Sequence, residues 1–209
     1  MENQTRSFVL SLLLCSCFTA SSHAKVLDFE FLNVPQPGPH HFGNLYIEDG
    51  FMVINAGAGT LAYYGRDHAD YAGSTGLFAT LPNNSLTLAA LNGRLITPKS
   101  IDLAPKTLNL GPVSVTFTGF KKDGDTVSTS FAIGATDTFT TFTFGDDFKH
   151  ITHLQWSQGG VGHQFDNIEV RNSPEPSSAA LILLIGLVGI PLATGRWMRH
   201  AQAEDRAQA

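Results

Sequence analysis

A chain of 209 residues with 18 Asp and Glu against 13 Lys and Arg carries a formal charge of −5, and only 15% of its residues are charged. That balance offers no basic patch for a phosphate backbone, which argues against nucleic acid as a partner. Both cysteines, Cys15 and Cys17, stand near the start, so the remainder has no disulfide, thiolate metal site or cysteine nucleophile.

Arg6 precedes an apolar stretch from Phe8 to about Ala20, and Ser22-His23-Ala24 closes it with small residues where a signal peptidase reads. Positions 1–24 are therefore expected to be a secretory signal peptide outside the fold. The region 25–172 has the length of one domain with interior enough to fold without disulfides.

Helical periodicity is almost absent from that domain. Short alternating or apolar runs are punctuated by Gly, Pro, Asn and Asp instead. Strands are expected at Val26–Leu32, Phe51–Ala56, Leu86–Leu91, Ser100–Leu103, Val113–Phe120, Thr126–Ile133, Thr138–Phe144, Ile151–Trp156 and Gln164–Val170. The clearest hairpin surrounds Lys121-Lys122-Asp123-Gly124-Asp125, where Asp-Gly supplies residues that tolerate positive φ. Before it, Val113, Val115 and Phe117 alternate with Ser114, Thr116 and Thr118, one face buried and one wet. So many strands without a βαβ rhythm predict an all-β, two-sheet antiparallel β-sandwich of the jelly-roll kind.

Residues 56–84 read as an irregular loop, and a loop of that length usually serves a purpose. Its centre holds Tyr63, Tyr64 and Tyr71 beside Arg66, Asp67, His68 and Asp70. Aromatic faces cover the apolar side of a sugar ring, while charged groups take its hydroxyls, so Tyr63, Tyr64, Arg66, Asp67 and Tyr71 form a candidate carbohydrate site. The competing reading packs the tyrosines as a plug at the end of the sandwich.

Asp28 and Glu30 on the first expected strand, Glu48 and Asp49 before Gly50, and Asp166 on the last strand are hard oxygen donors. First and last strands are commonly neighbours in sandwiches, so Asp28, Glu30 and Asp166 are candidate ligands of a structural calcium ion. Solvated strand ends are the competing reading. His150 and His153 would face opposite ways on a strand, which argues against a zinc pair, and His40, His41 and His163 are scattered. No Gly-x-Ser-x-Gly motif is present and no catalytic signature appears. The alternative to a non-enzyme is a secreted polysaccharide-acting hydrolase using a carboxylate pair that spacing does not reveal. The closing Phe165-Asp166-Asn167-Ile168-Glu169-Val170 resembles the terminal strand of bacterial extracellular β-sandwiches, carbohydrate-binding-like modules among them.

The tail begins Ser173-Pro174-Glu175-Pro176-Ser177-Ser178, whose prolines break regular structure. A charge-free apolar run from Ala179 to Thr194 comes next, then Gly195-Arg196-Trp197-Met198-Arg199-His200. A transmembrane helix is expected at 179–195, with Arg196 and Arg199 on the cytoplasmic side and a polar tail at 201–209. Pro-Glu-Pro, apolar helix and arginine end, in that order, make 173–200 resemble the PEP-CTERM sorting signal of Gram-negative envelope proteins. The cationic cluster departs from a tight arginine run, and the polar extension is additional. The resemblance implies recognition by exosortase at Pro174, Glu175 and Pro176, transient anchoring in the membrane, and release to the envelope or extracellular matrix. It also implies association with exopolysaccharide and biofilm.

Overall fold

β-Branched and aromatic runs broken by Gly, Asn and Asp build thirteen strands among residues 23–107 and 112–173, the part described by this computed structural model. The signal expected over 1–24 lies outside the described residues except for His23 and Ala24. Also outside them lie Pro174, Glu175, Pro176, Arg196 and Arg199, the helix expected at 179–195, and the tail. No helix among the described residues is long and apolar enough to cross a membrane.

In chain order the strands are β1 (Ala24–Leu27), β2 (Pro39–Gly43), β3 (Leu45–Glu48), β4 (Phe51–Ala56), β5 (Leu61–Tyr64), β6 (Leu77–Ala79) and β7 (Ser85–Ala90). They continue as β8 (Ile96–Pro105), β9 (Val113–Lys121), β10 (Thr126–Ile133), β11 (Thr140–Thr143), β12 (Ile151–Ser157) and β13 (His163–Asn172). Every pairing is antiparallel. One layer runs β3-β4-β7-β12-β9-β10. The other runs β2-β5-β6-β13-β8-β11, with β1 beside β13. The layers join at a corner through Ile151 and Ile96. This is the expected β-sandwich, and the first and last strands are neighbours in it.

Inward-facing residues of both layers make one core. Trp156 packs edge-on against Phe165, Phe165 against Phe29, and Phe117 against Phe144. The unit Ser22–Ser173 contains this core and all the strands that close it, which is what independent folding requires.

Strands β4 and β10 lie where the alternation puts them, while four others carry no such signal. β5 and β6 are buried on both faces, so they show no alternation, and their glycine-rich flanks mask them. β2 and β3 are short and meet at Gly43-Asn44. The first strand stops at Leu27 instead of Leu32, because Phe29 takes a left-handed φ of 53° and Glu30–Leu32 turns as a 3₁₀ helix. Asp28 and Glu30 therefore come after the strand and do not lie on it.

Candidate functional site

The outer face of the β3-β4-β7-β12-β9-β10 layer carries two rows of side chains, fixed by register. One row is Ile47, Met52, Ala89, His153, Phe120 and Thr126. The next is Leu45, Ile54, Thr87, Gln155, Thr118 and Ser128. Six strands at their usual spacing make this face about 24 Å wide. Leu45 and Ile47 are 49% and 51% exposed, so the β3 edge of the face is apolar and open.

At its centre the Phe120 and His153 rings stack, with centroids 4.4 Å apart and 7° between planes. Thr152 fixes the tautomer of that histidine. Its Oγ1 donates to the Phe120 carbonyl at 2.9 Å and also meets His153 Nδ1 at 2.9 Å. A hydroxyl has one proton, so His153 Nδ1–H must donate to Oγ1, which leaves Nε2 as an acceptor. Burial holds the His153 pKa below its ordinary value, keeping the ring neutral at neutral pH. The arrangement is an aromatic platform with one fixed acceptor, flanked by the Gln155 amide and the hydroxyls of Thr87, Thr118 and Ser128. Phe120 was legible in the sequence as an aromatic on the wet side of the Ser114, Thr116, Thr118 alternation. Continuing the β12 alternation would likewise have put His153 and Gln155 opposite Leu154 and Trp156.

The tyrosine loop is built differently from the expected open platform. Tyr63 and Tyr64 lie on β5 and are only 8% and 7% exposed, so neither ring offers a free face. Tyr63 stacks on His40. Tyr64 stacks on His68 at 4.2 Å and 9°, and leans on Phe78 at 4.6 Å. Burial pushes the Tyr64 hydroxyl up to about 12, with Asp70 adding to the shift. These two tyrosines plug the molecule, as in the competing reading. Tyr63 belongs to the main core, whereas Tyr64, Ala62 and Phe78, with Tyr71 packed against them, make a small second core. Arg66 and Asp67 are exposed and Tyr71 is half-buried, its hydroxyl shared with Thr75 and Asn33. Nearby in sequence, Phe31 is 93% exposed.

The expected calcium ligands fall into two groups. Asp28 caps the Glu30 N–H at 3.1 Å and adds its charge to Glu48, whose carboxyl burial raises. Glu30 and Asp166 instead converge on one hydroxyl: Ser74 Oγ lies 2.8 Å from Glu30 Oε1 and 2.5 Å from Asp166 Oδ2. Burial pushes the Glu30 carboxyl up, but donors from Thr75, Asn33 and Ser74 outweigh it and hold the pKa below its usual value. Burial lifts Asp166, 0% exposed, to about 7; Ser74 and Asn167 oppose this, and the charges of Glu30 and Asp102 add to it. Ser74 can donate to only one carboxylate. The other contact needs a proton on Asp166 or a cation in its place. Among the described residues no three His, Cys, Asp or Glu side chains form a metal-ligating group, so a cation here would draw on hydroxyl and carbonyl oxygens as well.

The remaining histidines go to separate places. His41 Nδ1 meets Thr60 Oγ1 at 3.0 Å, and His150 Nδ1 meets Ser173 Oγ at 2.7 Å. His163 is buried with neither ring nitrogen hydrogen-bonded, and burial lowers its pKa to about 4.

No family model and no curated protein matches the chain. Among solved structures, a family 29 carbohydrate binding module from Piromyces equi shares 14% identity over 74% of this chain and 93% of its own, with a TM-score of 0.42. The CBM22-1-GH10 modules of a Clostridium thermocellum endo-1,4-beta-D-xylanase, complexed with xylohexaose, share 10% identity over 75% of this chain and 29% of theirs, with a TM-score of 0.43. An exo-beta-agarase shares 12% identity over 74% of this chain and 26% of its own, with a TM-score of 0.42. Scores this low assign nothing to the present chain.

Proposed function

We propose that this protein is an exported, non-catalytic β-sandwich module that binds an extracellular polysaccharide across the outer face of the β3-β4-β7-β12-β9-β10 layer. The observation that carries this reading is the stacked Phe120–His153 pair on a face that alternation makes wet. Both rings are half-buried on this outer face, and the aromatic surface they leave open matches the C–H side of a sugar ring. The His153 Nε2 acceptor, the Gln155 amide and the Thr118 hydroxyl match sugar hydroxyls in the adjacent positions.

Export and sorting belong to the same proposal and rest on the sequence. The 1–24 segment directs secretion. Residues 173–200 anchor the chain in the inner membrane until exosortase acts at Pro174-Glu175-Pro176, leaving the module in the envelope or extracellular matrix with its exopolysaccharide and biofilm. A structural calcium ion beside Glu30, Asp166 and Ser74 is part of the proposal, and what supports it is that two carboxylates share one hydroxyl proton there. Such an ion would tie the β13 strand to the turn after β1. The Glu30–Asp166 pair does not suit a hydrolase, because a carboxyl with no exposed surface does not reach a glycosidic bond.

The test is affinity electrophoresis of residues 23–173 in gels containing xylan, β-mannan or the producing organism's own exopolysaccharide, beside a reducing-sugar assay. Retardation without product release is expected, and Phe120→Ala should weaken retardation about tenfold with an unchanged melting midpoint. Retardation unaffected by Phe120→Ala and Gln155→Ala would move the site elsewhere, and release of reducing ends would make the protein an enzyme.

A further inference from the structure

We infer that β10 is a self-association edge, through which a second copy of this chain adds antiparallel about a two-fold axis at Thr129 to make one continuous sheet. The edge strands of this sandwich differ sharply in how they are protected. Unpaired edges are templates for other strands, and proteins blunt them by shortness, charge, proline or bulges. β1, β3 and β11 have four residues each; β1 carries Lys25 and β3 ends in Glu48. β2 starts with Pro39 and has a register shift between His41 and Gly43. β10 has none of these devices. It runs eight residues, Thr-Val-Ser-Thr-Ser-Phe-Ala-Ile, without a charge, proline or glycine. Its register with β9 is unbroken from Thr126–Phe120 to Ile133–Val113, and it pairs with no other strand among the described residues. Half of its residues therefore point backbone donors and acceptors away from β9.

The strand's own chemistry selects its partner. An antiparallel copy centred on Thr129 sets Ser128 opposite the second copy's Ser130, and Val127 opposite its Phe131. Hydroxyl pairs and aromatic–β-branched pairs are both favourable across strands. On the outer face each copy already has hydroxyl ladders, Thr116 to Ser130 at 2.8 Å and Thr118 to Ser128 at 3.1 Å, and the junction would continue them. Charge does not oppose this orientation, since β10 itself carries none. Lys121, Lys122, Asp123 and Asp125 lie at one end of β10, while neutral Gly134-Ala135-Thr136 lies at the other. That turn carries two charges of each sign and no net charge, and antiparallel joining sets it beside its partner's Gly134-Ala135-Thr136.

The test is sedimentation equilibrium of residues 23–173 from 1 to 100 μM, with a cysteine reporter. The wild type should reach twice the monomer mass within that range. Ser128→Lys/Ser130→Lys, which puts lysines directly opposite each other across the junction, should remain monomeric with a melting midpoint within a few degrees of wild type. This region has no native cysteine, so Thr129→Cys should give a disulfide-linked dimer on mild oxidation, since opposed strand residues lie within bridging distance. A wild type that stays monomeric at 100 μM overturns the proposal. So does a dimer that survives the lysine pair, and, whatever that variant's stability, so does failure of Thr129→Cys to cross-link.

Discussion

At the scale of single residues, two titrating groups separate binding from stability. His153 accepts through Nε2 only while neutral, and burial holds its pKa below the ordinary value near 6.5. Polysaccharide affinity should therefore be flat from pH 8 to about 6.5 and fall in more acidic buffer, and His153→Gln should flatten the profile. A profile equally steep in that variant would place the titrating group elsewhere. Stability follows different groups. Asp166 titrates at about 7 when folded, so its contribution is complete below about pH 4 and is lost as pH rises towards 7. His163 titrates at about 4 when folded, so it costs stability as pH falls from about 6.5 towards 4. Each slope is about 1.4 kcal/mol per pH unit and the signs oppose, so in the metal-free protein these two contributions nearly cancel between pH 4.5 and 6.5. Urea titrations should show Asp166→Asn gaining stability with pH across that window, and His163→Leu losing it. Calcium competes with the Asp166 proton, so it should raise the wild-type midpoint by several degrees, more at pH 7 than at pH 5, and leave Asp166→Asn unmoved. Superimposable transitions with and without chelator would remove the calcium ion from the proposal.

Among the elements, β5 and the loop after it give the sharpest contrast between sequence and structure. Tyr64 is held between His68 and Phe78, so Tyr64→Ala empties an aromatic site and should cost about 3–5 kcal/mol of stability. Below its lowered melting point that variant should bind polysaccharide like the wild type, and a loss of affinity at intact fold would return the loop to the binding site. Strands with one wet face were legible because period-two alternation is a direct record of burial, as in β4, β9 and β10. β5 and β6 were not, since burial on both faces erases the alternation and leaves Leu61-Ala62-Tyr63-Tyr64 looking like part of a loop. The candidate face was only half legible. Phe120 breaks the hydroxyl pattern of β9, but its stacking on His153 depends on pairing between strands more than thirty positions apart. The convergence of Glu30 and Asp166 was read from the pairing of terminal strands. The shared Ser74 was not, because a loop 44 positions from Glu30 and 92 from Asp166 brings it there.

For the whole molecule, fold and address are separable. The β-sandwich unit closes its own core, whereas the sorting reading rests on Pro174 to His200. Glu175→Ala, or removal of Arg196 to His200, should keep full-length protein in the inner membrane, and mass spectrometry of exported wild type should find the chain cut near Pro174-Glu175-Pro176. An intact Ala209 terminus on exported protein would contradict exosortase processing. Neither outcome bears on what the sandwich binds. The central claim is tested most directly by mapping amide chemical shifts of residues 23–173 during titration with soluble fragments of the producing organism's exopolysaccharide. Saturable shifts should cluster at Met52, Thr87, Thr118, Phe120, His153 and Gln155 on the outer face of β4, β7, β9 and β12. Shifts confined to Phe31, Arg66, Asp67 and Tyr71, or none at millimolar ligand, would contradict it.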